Sequence, residues 1–146
     1  MSILISNIQR TKKPDQQRIR RDLDRALQLL GLQTSELSIL FVGNRRMRDL
    51  NYRYRGLDKT TDVLSFPLTG GLTAGVPALL GDIVVCIPKA LLQAQEYNVL
   101  FYEEVLRLLI HGLLHLVGYD HEKSPYQRAR MEKKERELLD AIAEMD

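Results

Sequence analysis

Cysteine occurs once in the chain, at Cys86, so no internal disulfide can form and a reducing compartment suits the protein. The cytoplasm is the expected location. Long apolar runs are missing too. The richest stretch, residues 105–117, is broken by Arg107 and two histidines, which excludes a membrane span. The N-terminal MSILISNIQRTKK places its charges after the apolar residues, the wrong order for a secretory leader. There is no internal repeat and no low-complexity tract, so neither a solenoid nor a disordered tail is expected. Histidine is the most informative scarcity. The chain has 3, His111, His115 and His121, all inside the segment HGLLHLVGYDH.

What is present is the composition of an ordinary globular protein, 45% hydrophobic and 27% charged. A length of 146 residues suffices for one hydrophobic core, and residues 1–146 are expected to form a single domain. The net charge of +2 conceals an asymmetry, because residues 1–60 hold 13 Lys/Arg against 6 Asp/Glu and the rest of the chain is acidic. A basic half can attract a polyanion by counterion release, although uneven solvated charge alone would look similar.

The residue pattern predicts strands over 3–9, 36–43, 61–67 and 80–88. In the first, Ile3, Ile5 and Ile8 are candidates for burial. The VVCI run in the last suggests burial on both faces. A helix is expected from Pro14 to the stop at Gly31, with Ile19, Leu23, Ala26, Leu27 and Leu30 on its apolar stripe. A basic helix follows over 44–56, with Asn44 as its N-cap and Gly56 as its end. Residues 68–79 read as a Gly-rich loop, and helices occupy about 88–97, 99–117 and 125–144. The order βαβαββααα implies an α+β fold, a four-stranded sheet packed with about five helices.

The helix holding the histidines is apolar around its whole circumference, with 9 aliphatic residues among the 13 from Val105 to Val117. Such a helix belongs at the centre of a domain. His111 and His115 are one helical turn apart and share a face. Gly118 can take the left-handed conformation that turns the chain back, and His121 can then supply a third nitrogen. The pattern H-x-x-x-H-x-x-G-x-x-H therefore points to one metal ion held by His111, His115 and His121. Three imidazoles leave tetrahedral zinc one open position, as in catalytic sites. They would also suit nickel, iron or another divalent transition metal. The competing explanation, two hydrogen-bonded core histidines and a surface one, leaves the glycine and the clustering unexplained. Cys86, in a buried-strand pattern, reads as a core residue rather than a fourth ligand.

This spacing matches that of the metzincin zinc proteases with one difference: the glutamate expected after the first histidine is Gly112. That glutamate moves the proton in peptide hydrolysis, so proteolysis is disfavoured unless Asp120, Glu122 or Glu104 substitutes for it. A second block, NYRYRGLDKTTDVLSFP (51–67), offers Arg55 as a bidentate phosphate binder and Lys59 as a point charge. Arg45, Arg46, Arg48 and Arg53 extend the positive region, with Tyr52 and Tyr54 available for base stacking. A zinc cradle without a peptidase base, beside a basic block, favours a phosphodiester substrate.

Together, HGLLHLVGYDH (111–121), YRGLDKTTDVLSFP (54–67) and GDIVVC (81–86) resemble the YbeY family of bacterial rRNA maturation factors. The resemblance extends over most of the chain; Thr60 departs from the family's usual proline. It implies a zincin-like fold and a metal-dependent, single-strand-specific endoribonuclease. The activity implied is maturation of the 3′ end of small-subunit ribosomal RNA, together with ribosome quality control. The implied partners are single-stranded and ribosomal RNA, the small ribosomal subunit and its assembly factors. By the same resemblance His111, His115 and His121 are the zinc ligands and Arg55 is the functional arginine. In the mechanism this suggests, Arg55 stabilises transition-state charge and Asp120 carries a proton or orients a ligand. From the basic block, Arg46, Arg53, Arg55 and Lys59 are expected to contact RNA. Two other classes remain open, a zinc metalloprotease-like hydrolase and a non-catalytic RNA-binding assembly factor.

Overall fold

The computed structural model describes residues 3–68 and 79–146. Apart from its two ends, the Gly-rich loop expected over 68–79 lies outside them. The strands are β1 (Ile3–Asn7), β2 (Glu36–Val42), β3 (Val63–Pro67) and β4 (Leu79–Cys86). The helices are α1 (Gln16–Leu29), α2 (Asn44–Arg55), α3 (Ile87–Tyr97), α4 (Phe101–Leu116) and α5 (Pro125–Glu144). The expected α+β order is thus found among the described residues. The sheet runs β1-β2-β4-β3, with β1, β2 and β4 parallel and β3 antiparallel along β4.

Both faces of the sheet are covered, and strand alternation decides which side chain goes where. Leu37, Ile39 and Phe41 of β2 and Ile83 and Val85 of β4 enter the larger core with α1, α4 and α5. Val42, Val84 and Cys86 point the other way and pack with Leu64 and Met47, the latter from α2. Double-sided burial is why VVCI reads as an unbroken apolar run. The chain therefore leaves β1 toward the α1 face and leaves β2 toward the opposite face, where α2 lies.

The ends of the helices follow local chemistry. The Asp15 carboxylate caps α1 by accepting the backbone N–H of Arg18 at 3.2 Å. Asn44 does not cap α2; Gly43 holds that position, and Asn44 Oδ1 instead accepts from Cys86 Sγ at 3.2 Å. The thiol is buried against that partner, and burial raises its pKa. Ile8 is also not a core residue, being 52% exposed. Its odd spacing from Ile3 and Ile5 puts it on the other side of the strand line.

α4 lies at the centre of the larger core, burying Val105, Leu106, Leu108, Leu109, Ile110, Leu113 and Leu114. Each fully buried leucine of this kind contributes about 1.5–3 kcal/mol relative to exposure. The helix is thereby held on several sides, and the two histidines it carries inherit a fixed position.

Candidate metal centre

His111 and His115 occupy the last turns of α4, and the end of that helix delivers the third histidine. The N–H of Gly118 bonds the carbonyl of His115 at 3.1 Å, and the N–H of Tyr119 bonds that of Leu114 at 3.0 Å. Gly118 has φ +108°, a conformation that L side chains rarely adopt, so a glycine is required there. The chain then turns and Asp120 braces it, its Oδ1 accepting the backbone N–H of Glu122 at 2.8 Å. His121 comes back onto the pair.

The three imidazoles form a tight triangle, with ring centroids 5.0, 5.0 and 4.8 Å apart. One ligand nitrogen from each lies within 4.8 Å of the others, and His115 Nε2 is 2.8 Å from His121 Nδ1. Nitrogens bound tetrahedrally to zinc are roughly 3.4 Å apart for bonds of 2.0–2.1 Å. The observed separations bracket that value, so the donor set and its spacing fit one transition-metal ion. Burial, and then the neighbouring His111 and His121, push the pKa of His115 below its ordinary value. The neutral form so favoured is the one that can ligate.

A residue without a role in the sequence reading supports the triangle. Glu135 of α5 places Oε1 3.2 Å from His111 Nδ1, with only 13% of its side chain exposed. A carboxylate accepting from Nδ1–H selects the tautomer that keeps Nε2 free as a ligand. α5 buries Met131, Leu138 and Ile142. Glu135 sits four residues after the first and three before the second, a charged group in core register. That periodicity was the available signal.

The triangle lies in a cavity of about 610 Å³ that Arg55, Ser65, Arg107, Asp120 and Glu122 also line. Arg55, at the C-terminus of α2, lines the same cavity as the histidines. Its Nη2 is 3.8 Å from Glu122 Oε1, which is in turn 3.8 Å from His121 Nε2. Asp120 is likewise brought to the cavity. Arg107 is a second guanidinium there, one turn before His111, a spacing that could have revealed it. It is held by Glu104 through contacts of 2.9 and 2.6 Å. Glu104 is 1% exposed and fully engaged in this pair, so it is not a spare proton acceptor. Cys86 lies outside the cluster.

The other residues expected to contact RNA lie outside this cavity. Lys59 lines a separate shallow recess with Asn44, Arg45 and Thr60. Arg46 and Arg53 line a different groove, between α2 and the segment after β1. Tyr52 is exposed, whereas the Tyr54 ring packs edge-on against Phe66 at 5.0 Å.

Gly112 faces the sheet. A Cβ added to it would lie 2.8 Å from Ile83 Cγ2 and 3.0 Å from Ser65 Oγ. Ser65 also donates to the Gly112 carbonyl at 3.0 Å, so β3 and α4 touch at this point. A glutamate has no room here without displacing the sheet.

Residues 4–143 match the family Endoribonuclease YbeY. A curated relative, the endoribonuclease YbeY of Syntrophus aciditrophicus, is 41% identical over 95% of this chain and 88% of its own. That of Geobacter metallireducens is 39% identical over 100% of this chain and 98% of its own. Among solved structures, the solution structure of TM1509 from Thermotoga maritima is similar with a TM-score of 0.66 and 27% identity. It is matched over 96% of this chain and 88% of that one. No helix among the described residues is long and apolar enough to cross a membrane.

Proposed function

The chain belongs to the YbeY endoribonuclease family, and we propose that it is a metal-dependent, single-strand-specific endoribonuclease of ribosomal RNA maturation. Its substrate would be the 3′ end of small-subunit RNA, met in the cytoplasm on the subunit and its assembly factors, with a further part in ribosome quality control. Residues 1–146 would work as one hydrolase domain. One observation carries this reading: three imidazoles and Arg55 line one cavity, while Gly112 is packed against the sheet where a peptidase needs its glutamate.

His111, His115 and His121 would hold one zinc ion, or nickel or another divalent transition metal. When bound, such an ion supplies Lewis acidity toward a phosphate oxygen or a water. The chain's own residues do the rest. Glu135 holds the His111 ring in its ligating tautomer. Arg55 offers a planar, permanently charged fork to the phosphate, stabilising negative charge that grows in the transition state. Asp120, its Oδ1 bonded to the Glu122 amide beside His121, would carry a proton or orient a ligand. Lys59, Arg46 and Arg53 would meet the RNA outside the cavity.

The test is cutting of single-stranded against duplex RNA by purified protein, with and without chelator, beside His111→Ala as the control for contaminating nuclease. Cutting confined to single strands, lost with chelator and absent in the variant, is the expected result. Cutting that persists in His111→Ala would remove the metal reading. A 2′-deoxy residue at the cleaved position separates a water nucleophile, which still cuts it, from the RNA's own 2′-hydroxyl.

A second reading has one observation in its favour. Among the described residues β3 is an edge strand of the sheet and lines the cavity, so an extended peptide could pair with it. Hydrolysis of unstructured peptide that survives Arg55→Ala would favour it.

A further inference from the structure

β1 and β2 are parallel neighbours whose following helices lie on opposite faces of the sheet. Where successive strands part in this way, a crevice opens at their carboxyl ends, the usual ligand position in open α/β sheets. Here it forms a groove of about 1210 Å³, walled by Gln9, Arg10 and Thr11 after β1 and by α2 after β2. Gly43, just after β2, also lines it. The metal cavity shares no lining residue with it.

The groove is basic. Arg10, Arg45, Arg46, Arg48 and Arg53 line it against Asp49 and Asp58, a surplus of three positive charges. Arg48 is engaged by Asp58 at 2.8 Å and Arg53 by Asp49 at 3.3 Å. Arg10, Arg45 and Arg46 have no acidic partner within 4.0 Å among the described residues. Tyr52, 58% exposed, presents its ring on the same wall. Arg10 comes from a segment that sequence distance separates from the basic helix, so the fold concentrates charge that neither segment has alone.

We propose that this crevice is an anchoring site for the phosphodiester backbone of the RNA, distinct from the cavity where it is cut. The inference rests on the nuclease reading of that cavity. Unpaired guanidinium groups match phosphates bidentately, and an exposed tyrosine stacks on any base. An acidic protein surface would satisfy the charges and make no use of the ring. α2 links the two sites, with Arg45 beside the groove and Arg55 in the cavity about 15 Å along the axis. A short oligonucleotide occupies one site; a longer strand reaches both.

The experiment compares the wild-type protein with an Arg10→Glu, Arg45→Glu double variant, its folding checked by thermal unfolding. Binding of a single-stranded RNA of about twenty nucleotides is followed by fluorescence anisotropy over a salt series, in chelator to prevent cutting. The expected result is a loss of affinity of about tenfold or more, with a salt dependence shallower by about 0.7 per lost phosphate contact. With metal restored, kcat/KM should fall further for this RNA than for one of about four nucleotides. Unchanged affinity and salt slope would overturn the proposal, as would equal competition by polyglutamate, which would mark an acidic protein as the ligand. If the wild type binds and the variant does not, yet neither cuts any RNA, the anchoring site stands and the nuclease reading falls.

Discussion

Nδ1 of His111 stands 3.2 Å from Oε1 of Glu135, a contact between α4 and α5 that joins residues 24 positions apart in sequence. It makes α5 part of the metal centre. Outer carboxylates of this kind typically affect metal affinity by about 10–100-fold. Glu135→Ala should weaken zinc binding by that order in a competition titration with a chromophoric chelator. Glu135→Gln, which still presents an oxygen, should lose less. Equal affinity in wild type and both variants would show that the contact has no bearing on the metal.

Zinc should also stabilise the fold, because the ligating arrangement exists only in the native state. At a hundredfold excess over Kd, binding to the native state alone adds about 2.7 kcal/mol. Thermal unfolding with and without zinc should reveal this gain in the wild type. His115→Ala should abolish it.

The close approach of α4 to the sheet makes Gly112 sensitive to the smallest addition. Gly112→Ala brings a methyl group to 2.8 Å from Ile83 Cγ2, and overpacking of this sort costs about 1–3 kcal/mol. Urea denaturation should register that loss. Gly112→Glu, which restores the residue a metzincin would have, should destabilise further and yield no peptidase; a gain of peptide hydrolysis would contradict this reading of the site.

Stability at high pH should depend on Tyr102. Its hydroxyl donates to Asp22 Oδ2 at 2.7 Å, and burial followed by that carboxylate raises its pKa well above the ordinary 10.0. A raised pKa means that the native state keeps a proton which the unfolded state releases. The contribution is therefore complete below pH 10.0 and is lost as pH rises beyond it. Tyr102→Phe should cost about 1–2 kcal/mol at neutral pH. It should also flatten the alkaline limb of the stability profile. The stacked Arg18, 3.9 Å from the ring centroid, remains in the variant and isolates the hydroxyl's effect.

Local chemistry made much of this protein legible in its residues. Periodicities of two and of 3.6 marked its strands and helices, and the apolar circumference of 105–117 announced a central helix. Histidines one turn apart, followed by a glycine able to reverse the chain, defined the metal triangle, because short-range backbone geometry governs all three positions. Contacts between distant segments were decided only in three dimensions. The pairing of Glu135 with His111 depends on how α5 docks, and the seclusion of Glu104 depends on what Arg107 does with it. The division of one basic helix between two sites arises because a helix presents different residues to different neighbours, and Arg10 joins one of them only where β1 and β2 part. Spacing along a chain specifies which side chains share a face; packing alone specifies what that face meets.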